Sequence, residues 1–210
     1  MIDKLLEIYI EQHSTKENEV LYELNRQTHL KKLQANMLSG HIQGAFLSLF
    51  TKLLQPKNVL EIGTYTGYSA IAMAQALGEE GKLITLECNP ELESFIRQYV
   101  EKSQLQDKIE LIIGDAKKII PTLQQTFDLV FMDADKKEYI TYYNLVKPLV
   151  KKGGYMIIDN VLWYGKVAEK SIQDKDTNAI RDFNRLVQED KEVKNLMLPI
   201  RDGLLIVEKL

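Results

Sequence analysis

The chain has 210 residues, 45% of them hydrophobic and 27% charged, which is the composition of a globular protein long enough to bury a core without disulfide or metal staples. Its formal net charge of −3 supplies no global field for nucleic-acid phosphates, and its one cysteine excludes an intramolecular disulfide and fits a reducing compartment. Charges interrupt the apolar positions of the N-terminus, and no apolar run approaches the roughly 18 residues of a membrane span, so a cytoplasmic location with no membrane partner is expected.

Leu5, Leu6, Tyr9 and Ile10 recur at helical spacing, and Ser14-Thr15-Lys16-Glu17 has the form of a capping box opening a second helix. Residues 41–54 read as a third helix. The pattern then becomes strand, turn and helix: short apolar runs at 59–62, 83–86, 109–113, 129–132 and 155–158 suit parallel strands buried on both faces. A polar loop over 165–177 leads to a helix at 179–189. Two strands at 193–198 and 204–207, joined through Arg201-Asp202-Gly203, predict a closing hairpin. No repeat or linker divides the chain.

The first strand runs into Glu61-x-Gly63-x-x-x-Gly67, a turn whose glycines let backbone approach a ligand without an intervening Cβ. The Gly-x-Gly-x-x-Gly of a dinucleotide fold is absent. Glu87, at the end of the second strand, suits a carboxylate receiving two ribose hydroxyls, and Gly114-Asp115-Ala116 ends the third where an adenine edge would lie. A tight strand-to-helix connection alone would account for the glycines. Acidic residues at successive strand ends favour a nucleotide-like cofactor.

Asp133 and the pair Asp159-Asn160 end the next two strands with oxygen donors only, which points to a hard cation that keeps open positions for substrate or water. A helix cap is the competing explanation for each aspartate and the better one for Asp135. Two carboxylates at adjacent strand ends repel each other unless a cation lies between them. His13, His29 and His41 read as solvated or capping residues.

The stretch from Glu61 to Ser69 resembles the cofactor loop of the class I S-adenosylmethionine-dependent methyltransferases. Together with Phe131-Met132-Asp133-Ala134-Asp135-Lys136, Asp159-Asn160-Val161-Leu162-Trp163 and Leu198-Pro199-Ile200-Arg201-Asp202-Gly203-Leu204, it makes the chain from about Met37 onward similar to the cation-dependent O-methyltransferases, which include the catechol and caffeoyl-CoA enzymes. The resemblance implies a Rossmann-like α/β fold: a mostly parallel seven-stranded sheet with helices on both faces and a helical N-terminal cap. It implies a single methyltransferase domain over 1–210, with the cap over about 1–55 and the cofactor- and metal-binding core over about 56–210.

The activity so implied is methyl transfer from S-adenosylmethionine to a hydroxyl of a catechol-like or other vicinal-diol small molecule. By motif position, Ser39, Gly63, Tyr65, Ser69, Glu87, Asp115, Ala116 and Asp133 line the cofactor, whereas Glu61 supports the turn. Asp133, Asp159 and Asn160 hold magnesium, with manganese or calcium as alternatives, and Lys136 is the general base. Composition alone does not separate Lys136 from Lys137. Met37, Trp163 and Tyr164 are candidates for apolar walls around an aromatic acceptor, and residues 165–177 form either a mobile lid or a plain surface loop.

Ala134 and Asp135 replace the histidine and tryptophan of the mammalian catechol enzyme, which alters packing near the sulfonium. The N-terminal segment carries no basic cluster suited to CoA, so a small free phenol is preferred. A homodimer through the amphipathic N-terminal helices is expected. The alternative acceptor is a hydroxylated uridine in tRNA, with Lys31, Lys32, Lys151, Lys152 and Lys166 as phosphate contacts, a reading that the acidic charge balance disfavours.

Overall fold

Each apolar run becomes a strand in the computed structural model, which describes residues 3–210. The chain divides into two compact units, one ending at Asp115 and the other beginning at Ala116.

The first unit opens with three helices, α1 (Lys4–Gln12), α2 (Glu19–Lys31) and α3 (Gly40–Leu54). Then β1 (Asn58–Ile62), α4 (Tyr68–Ala74), β2 (Lys82–Glu87), α5 (Glu93–Lys102) and β3 (Ile109–Ile113) alternate, and β2 pairs in parallel with both β1 and β3. All of α4 is buried, and small residues let neighbours come close to it. A Cβ on Gly44 of α3 would lie 2.6 Å from the Tyr68 ring. In α5 the apolar stripe Phe95, Ile96, Tyr99 and Val100 faces inward.

The capping box expected at Ser14 does not form. Asn18 is the N-cap of α2 and accepts the Leu21 N–H at 2.9 Å, so that helix starts after the expected position. Ser14 instead donates back to Ile10 O at 2.7 Å at the end of α1, and Glu17 accepts the Tyr68 hydroxyl. An asparagine nearer the apolar stripe caps as well as a serine, so local spacing did not select between them.

The second unit holds α6 (Ala116–Ile119), β4 (Phe127–Met132), α7 (Tyr139–Val146), β5 (Val150–Ile158), α8 (Lys175–Glu189), β6 (Val193–Leu198) and β7 (Leu204–Lys209). β4 and β5 are parallel, whereas β7 runs antiparallel to both β5 and β6, as the expected hairpin requires. β5 begins earlier than its apolar run because its first half, Val150-Lys151-Lys152-Gly153-Gly154, joins through a register shift opposite Phe127 and Leu129. Gly154 is needed there, since a Cβ would fall 2.9 Å from Lys151 O and 3.1 Å from Asp128 O. Edge-to-face contacts of Tyr139 and Tyr143 with Phe183, at 5.3 and 6.0 Å, dock α7 on α8.

The strands contribute to one seven-stranded mixed sheet. Among the described residues, no helix is long and apolar enough to cross a membrane.

Candidate active site

In the first unit, β1 ends in a turn through three left-handed residues, Gly63 (φ 96°), Tyr65 (φ 51°) and Gly67 (φ 89°), before α4 begins. Glu61 is fully buried and accepts from the Ser69 and Thr85 hydroxyls, so it braces the turn as expected. Ser69, expected to line the cofactor, sits in the first turn of α4 with its hydroxyl on Glu61.

Glu87, at the end of β2, reaches the same turn. Its Oε2 accepts Tyr65 N–H at 2.7 Å, and its Oε1 accepts Asn89 N–H at 2.8 Å. These two backbone donors fix the carboxylate at the mouth of the glycine turn. The Tyr65 hydroxyl is buried without a hydrogen-bond partner, and burial raises its pKa. Gly114 follows β3 and donates to Glu87 O at 2.8 Å, placing Asp115 at the next strand end. Ser39 is buried immediately before α3, whereas Met37 lies half exposed in the turn Ala35–Met37. Ala116 begins α6 of the second unit and is buried.

In the second unit, Met132 of β4 pairs in register with Ile158 of β5. Asp133 and Asp159 are the next residues on each strand, and Asp159 N–H donates to Met132 O at 3.0 Å, extending the ladder one step. Neighbouring strands lie about 4.8 Å apart, so both carboxylates start from one rung. Asp133 accepts from Lys136 Nζ at 2.8 Å, with both side chains largely buried. Asp159 is 1% exposed, and its Oδ1 accepts Asn160 N–H at 2.6 Å. Asn160 takes a left-handed backbone, φ 58°.

The fully buried Tyr139 donates its hydroxyl to Asp159 O at 2.9 Å. Burial raises its pKa well above the usual phenol value, and the charges of Asp133, Asp159, Asp202 and Asp135 add to the rise. Four carboxylates therefore share the neighbourhood of one phenol. Asp135 caps the short turn Lys136–Glu138 by accepting Lys137 N–H at 3.1 Å, as expected. The adjacent lysines differ in place: Lys136 lies on Asp133, whereas Lys137 pairs at the surface with Asp176 at 3.3 Å.

Among the described residues, no group of three or more His, Cys, Asp or Glu side chains is arranged to hold a metal ion. A cation at these strand ends would therefore rest on two carboxylates and one amide oxygen. That all-oxygen set suits a hard divalent ion and leaves coordination positions open.

Trp163 (φ 47°), Tyr164 (φ 56°) and Gly165 (φ 77°) form a left-handed bend after Asn160, with the two aromatic rings 5.5 Å apart. Two residues to which the sequence assigned no role at the site hold this region. Asp202 Oδ1 accepts Tyr164 N–H. Arg181 of α8 donates to the carbonyls of Lys166 (2.9 Å), Val167 (3.0 Å), Glu169 (2.6 Å) and Ile172 (2.6 Å). The segment after Gly165 is thus a strap tied at four carbonyls. No local signal marks Arg181, because its partners are backbone atoms.

The chain is similar to known proteins in sequence and in fold. Residues 11–210 match the model of the O-methyltransferase family. A probable caffeoyl-CoA O-methyltransferase 1 of Dictyostelium discoideum is 36% identical over 180 residues, 83% of this chain and 78% of that protein. The SAH-bound methyltransferase PaMTH1 of Podospora anserina superposes with a TM-score of 0.91 at 27% identity, covering 98% of this chain and 94% of that one. TomG, an O-methyltransferase of Streptomyces achromogenes involved in tomaymycin synthesis and solved with SAM, gives 0.89 at 26% identity, with coverages of 98% and 96%. The glycine turn, the acidic strand ends and these likenesses agree: the chain belongs to the O-methyltransferase family, has its Rossmann-like α/β fold, and is an S-adenosylmethionine-dependent O-methyltransferase.

Proposed function

We propose that the enzyme methylates one hydroxyl of a catechol-like or other vicinal-diol small molecule and that magnesium, or manganese or calcium in its place, is held by Asp133, Asp159 and Asn160. The observation that carries this reading is the shared rung: Met132 pairs with Ile158, so Asp133 and Asp159 leave adjacent parallel strands side by side, with Asn160 next in line. When bound, a divalent cation supplies Lewis acidity that lowers an oxygen acid's pKa by several units. Without such help, ionising a phenol with a pKa of about 10 at neutral pH costs roughly 4 kcal/mol.

Lys136 takes the hydroxyl proton at Nζ. Its contact with Asp133 holds that nitrogen at the donor set, while Lys137 faces Asp176 and is left out of the chemistry. The acceptor oxygen then forms a bond to the methyl carbon as the carbon–sulfur bond breaks. The sulfonium becomes a neutral thioether, and the proton stays on Lys136.

The methyl donor is assigned to Ser39, Gly63, Tyr65, Ser69, Glu87, Asp115, Ala116 and Asp133. Glu87 takes the ribose hydroxyls, and Ser69 acts by fixing Glu61 beneath the turn. Met37, Trp163 and Tyr164 are the proposed walls for an aromatic acceptor; the exposure of Met37 and Tyr164 supports this. The whole chain acts as one catalytic domain in the cytoplasm. Leu5, Leu6, Ile8 and Tyr9 of α1 are exposed and support a homodimer.

The test is methyl transfer from labelled S-adenosylmethionine, with magnesium, to a panel of free catechols, caffeoyl-CoA and total tRNA. Label in a free catechol, lost in Lys136→Ala with donor binding retained, is the expected result. Label confined to RNA or to the CoA ester would replace the proposed acceptor.

A further inference from the structure

The β6–β7 turn, Arg201-Asp202-Gly203, backs directly onto the segment that follows Asn160. Val161 N–H donates to Gly203 O at 3.2 Å, Leu162 N–H donates to Asp202 O at 2.9 Å, and Tyr164 N–H donates to Asp202 Oδ1. Asp202 Oδ2 is buried and has no hydrogen-bond partner. A buried carboxylate oxygen left in that state costs free energy unless something arrives to satisfy it.

Burial raises the pKa of Asp202, while the Tyr164 N–H, the Asn160 side chain and the charges of Lys136 and Arg201 act in the opposite sense. Val161 N–H on Gly203 O and Leu162 N–H on Asp202 O bring Asn160, the residue before Val161, alongside the turn that carries this carboxylate, whose Oδ2 has no partner. An amide has two unlike ends: the oxygen accepts or ligates, and the NH2 group only donates. If Oδ1 of Asn160 is to face a hard cation, Nδ2 must face an acceptor. The opposite orientation would point a carbonyl oxygen at a carboxylate.

Resting on the metal reading above, we infer that Asp202 is a positioning residue for Asn160. Its Oδ1 fixes the bend at Tyr164, and its Oδ2 accepts from Asn160 Nδ2 and turns the amide oxygen toward the cation. Groups that orient a metal ligand from behind typically change affinity by on the order of 10- to 100-fold when removed.

The experiment measures Mn2+ binding to the full chain by the loss of free-ion paramagnetic resonance signal, alongside the emission of Trp163, the only tryptophan. Asp202→Asn keeps an acceptor for Tyr164 N–H but presents an NH2 group where Oδ2 stood. It is expected to weaken Mn2+ binding on the order of 10- to 100-fold with Trp163 emission unchanged. Asp202→Ala is expected to weaken binding and also shift the emission. In an Asn160→Ala background, Asp202→Asn should add no further loss, because the residue acts through the amide.

Wild-type affinity in Asp202→Asn, beside a clear loss in Asn160→Ala, would overturn the positioning role alone. Losses that add in the double variant would also overturn it. A wild-type chain that binds no Mn2+, or an Asn160→Ala chain that binds it normally, would remove the metal reading and this inference together. Asp202→Ser, which retains a single hydroxyl acceptor, repeats the comparison if the amide variant does not fold.

Discussion

Gly203 adopts φ 92°, and a Cβ there would fall 2.4 Å from Leu162 Cγ and 2.9 Å from Leu162 N. The Leu162 backbone nitrogen does not move without displacing the segment behind Asn160. Gly203→Ala is therefore expected to lose about 1–3 kcal/mol of stability in urea denaturation, from the left-handed φ and the overlap together. In sequence, Asp202-Gly203 reads as an ordinary hairpin turn, and that much was legible. What the turn faces was not, because a contact between distant segments leaves no local pattern. The same limit applied to Lys136 and Lys137, neighbours of identical chemistry that only their partners, Asp133 and Asp176, distinguish. By contrast, the place of Glu87 at the end of an apolar strand beside a glycine turn was legible, and the structure adds the Tyr65 and Asn89 N–H groups that hold it there.

Lys147, just after α7, bridges Asp190 at the end of α8 and Glu192 before β6, each at 2.7 Å, while the Tyr143 hydroxyl donates to Asp190 at 2.8 Å. Burial alone would raise the Asp190 carboxyl, but its donors outweigh that effect and its pKa lies below the usual carboxylate value. The same pairing raises the pKa of Lys147. The depressed carboxyl contributes stability above its unfolded value of about 3.9 and loses it as pH falls through the folded value. The raised ammonium contributes below its unfolded value of about 10.4 and loses it as pH rises through the folded one. Lys147→Met should thus cost about 1–3 kcal/mol at neutral pH, and urea midpoints should show the gap narrowing toward both extremes. Arg181 gives a second test between elements. Removing its donors frees the carbonyls of 166–172, so limited trypsin digestion should cut after Lys166 or Lys170 much faster in Arg181→Ala than in wild type. Strand positions followed from apolar runs, because burial on both faces dictates composition. The first half of β5 did not: Lys151-Lys152-Gly153-Gly154 carries turn chemistry within a paired segment.

At the scale of the molecule, the candidate residues stand at strand ends. β1, β2 and β3 of the first unit lead to Gly63, Glu87 and Gly114-Asp115, and β4 and β5 of the second lead to Asp133 and Asp159-Asn160. Within each unit, parallel strands place their carboxyl ends along one edge, so residues far apart in sequence come together through topology alone. The fold and the family were therefore readable from the order of apolar runs and the residues that end them. The acceptor was less readable, because the residues proposed for its walls are the half-exposed Met37 and the left-handed bend at Trp163 and Tyr164, where shape matters more than residue type. Under the proposed function, methyl transfer depends on a hard cation held by Asp133, Asp159 and Asn160. The most direct measurement is the initial rate with a catechol and labelled S-adenosylmethionine after exhaustive chelation, during a magnesium titration, in wild type and Asp159→Ala. The rate is expected to vanish on chelation, to return with saturable magnesium dependence in wild type, and to stay low in the variant while donor binding persists. An undiminished rate in chelator, or full magnesium-dependent recovery in Asp159→Ala, would contradict it.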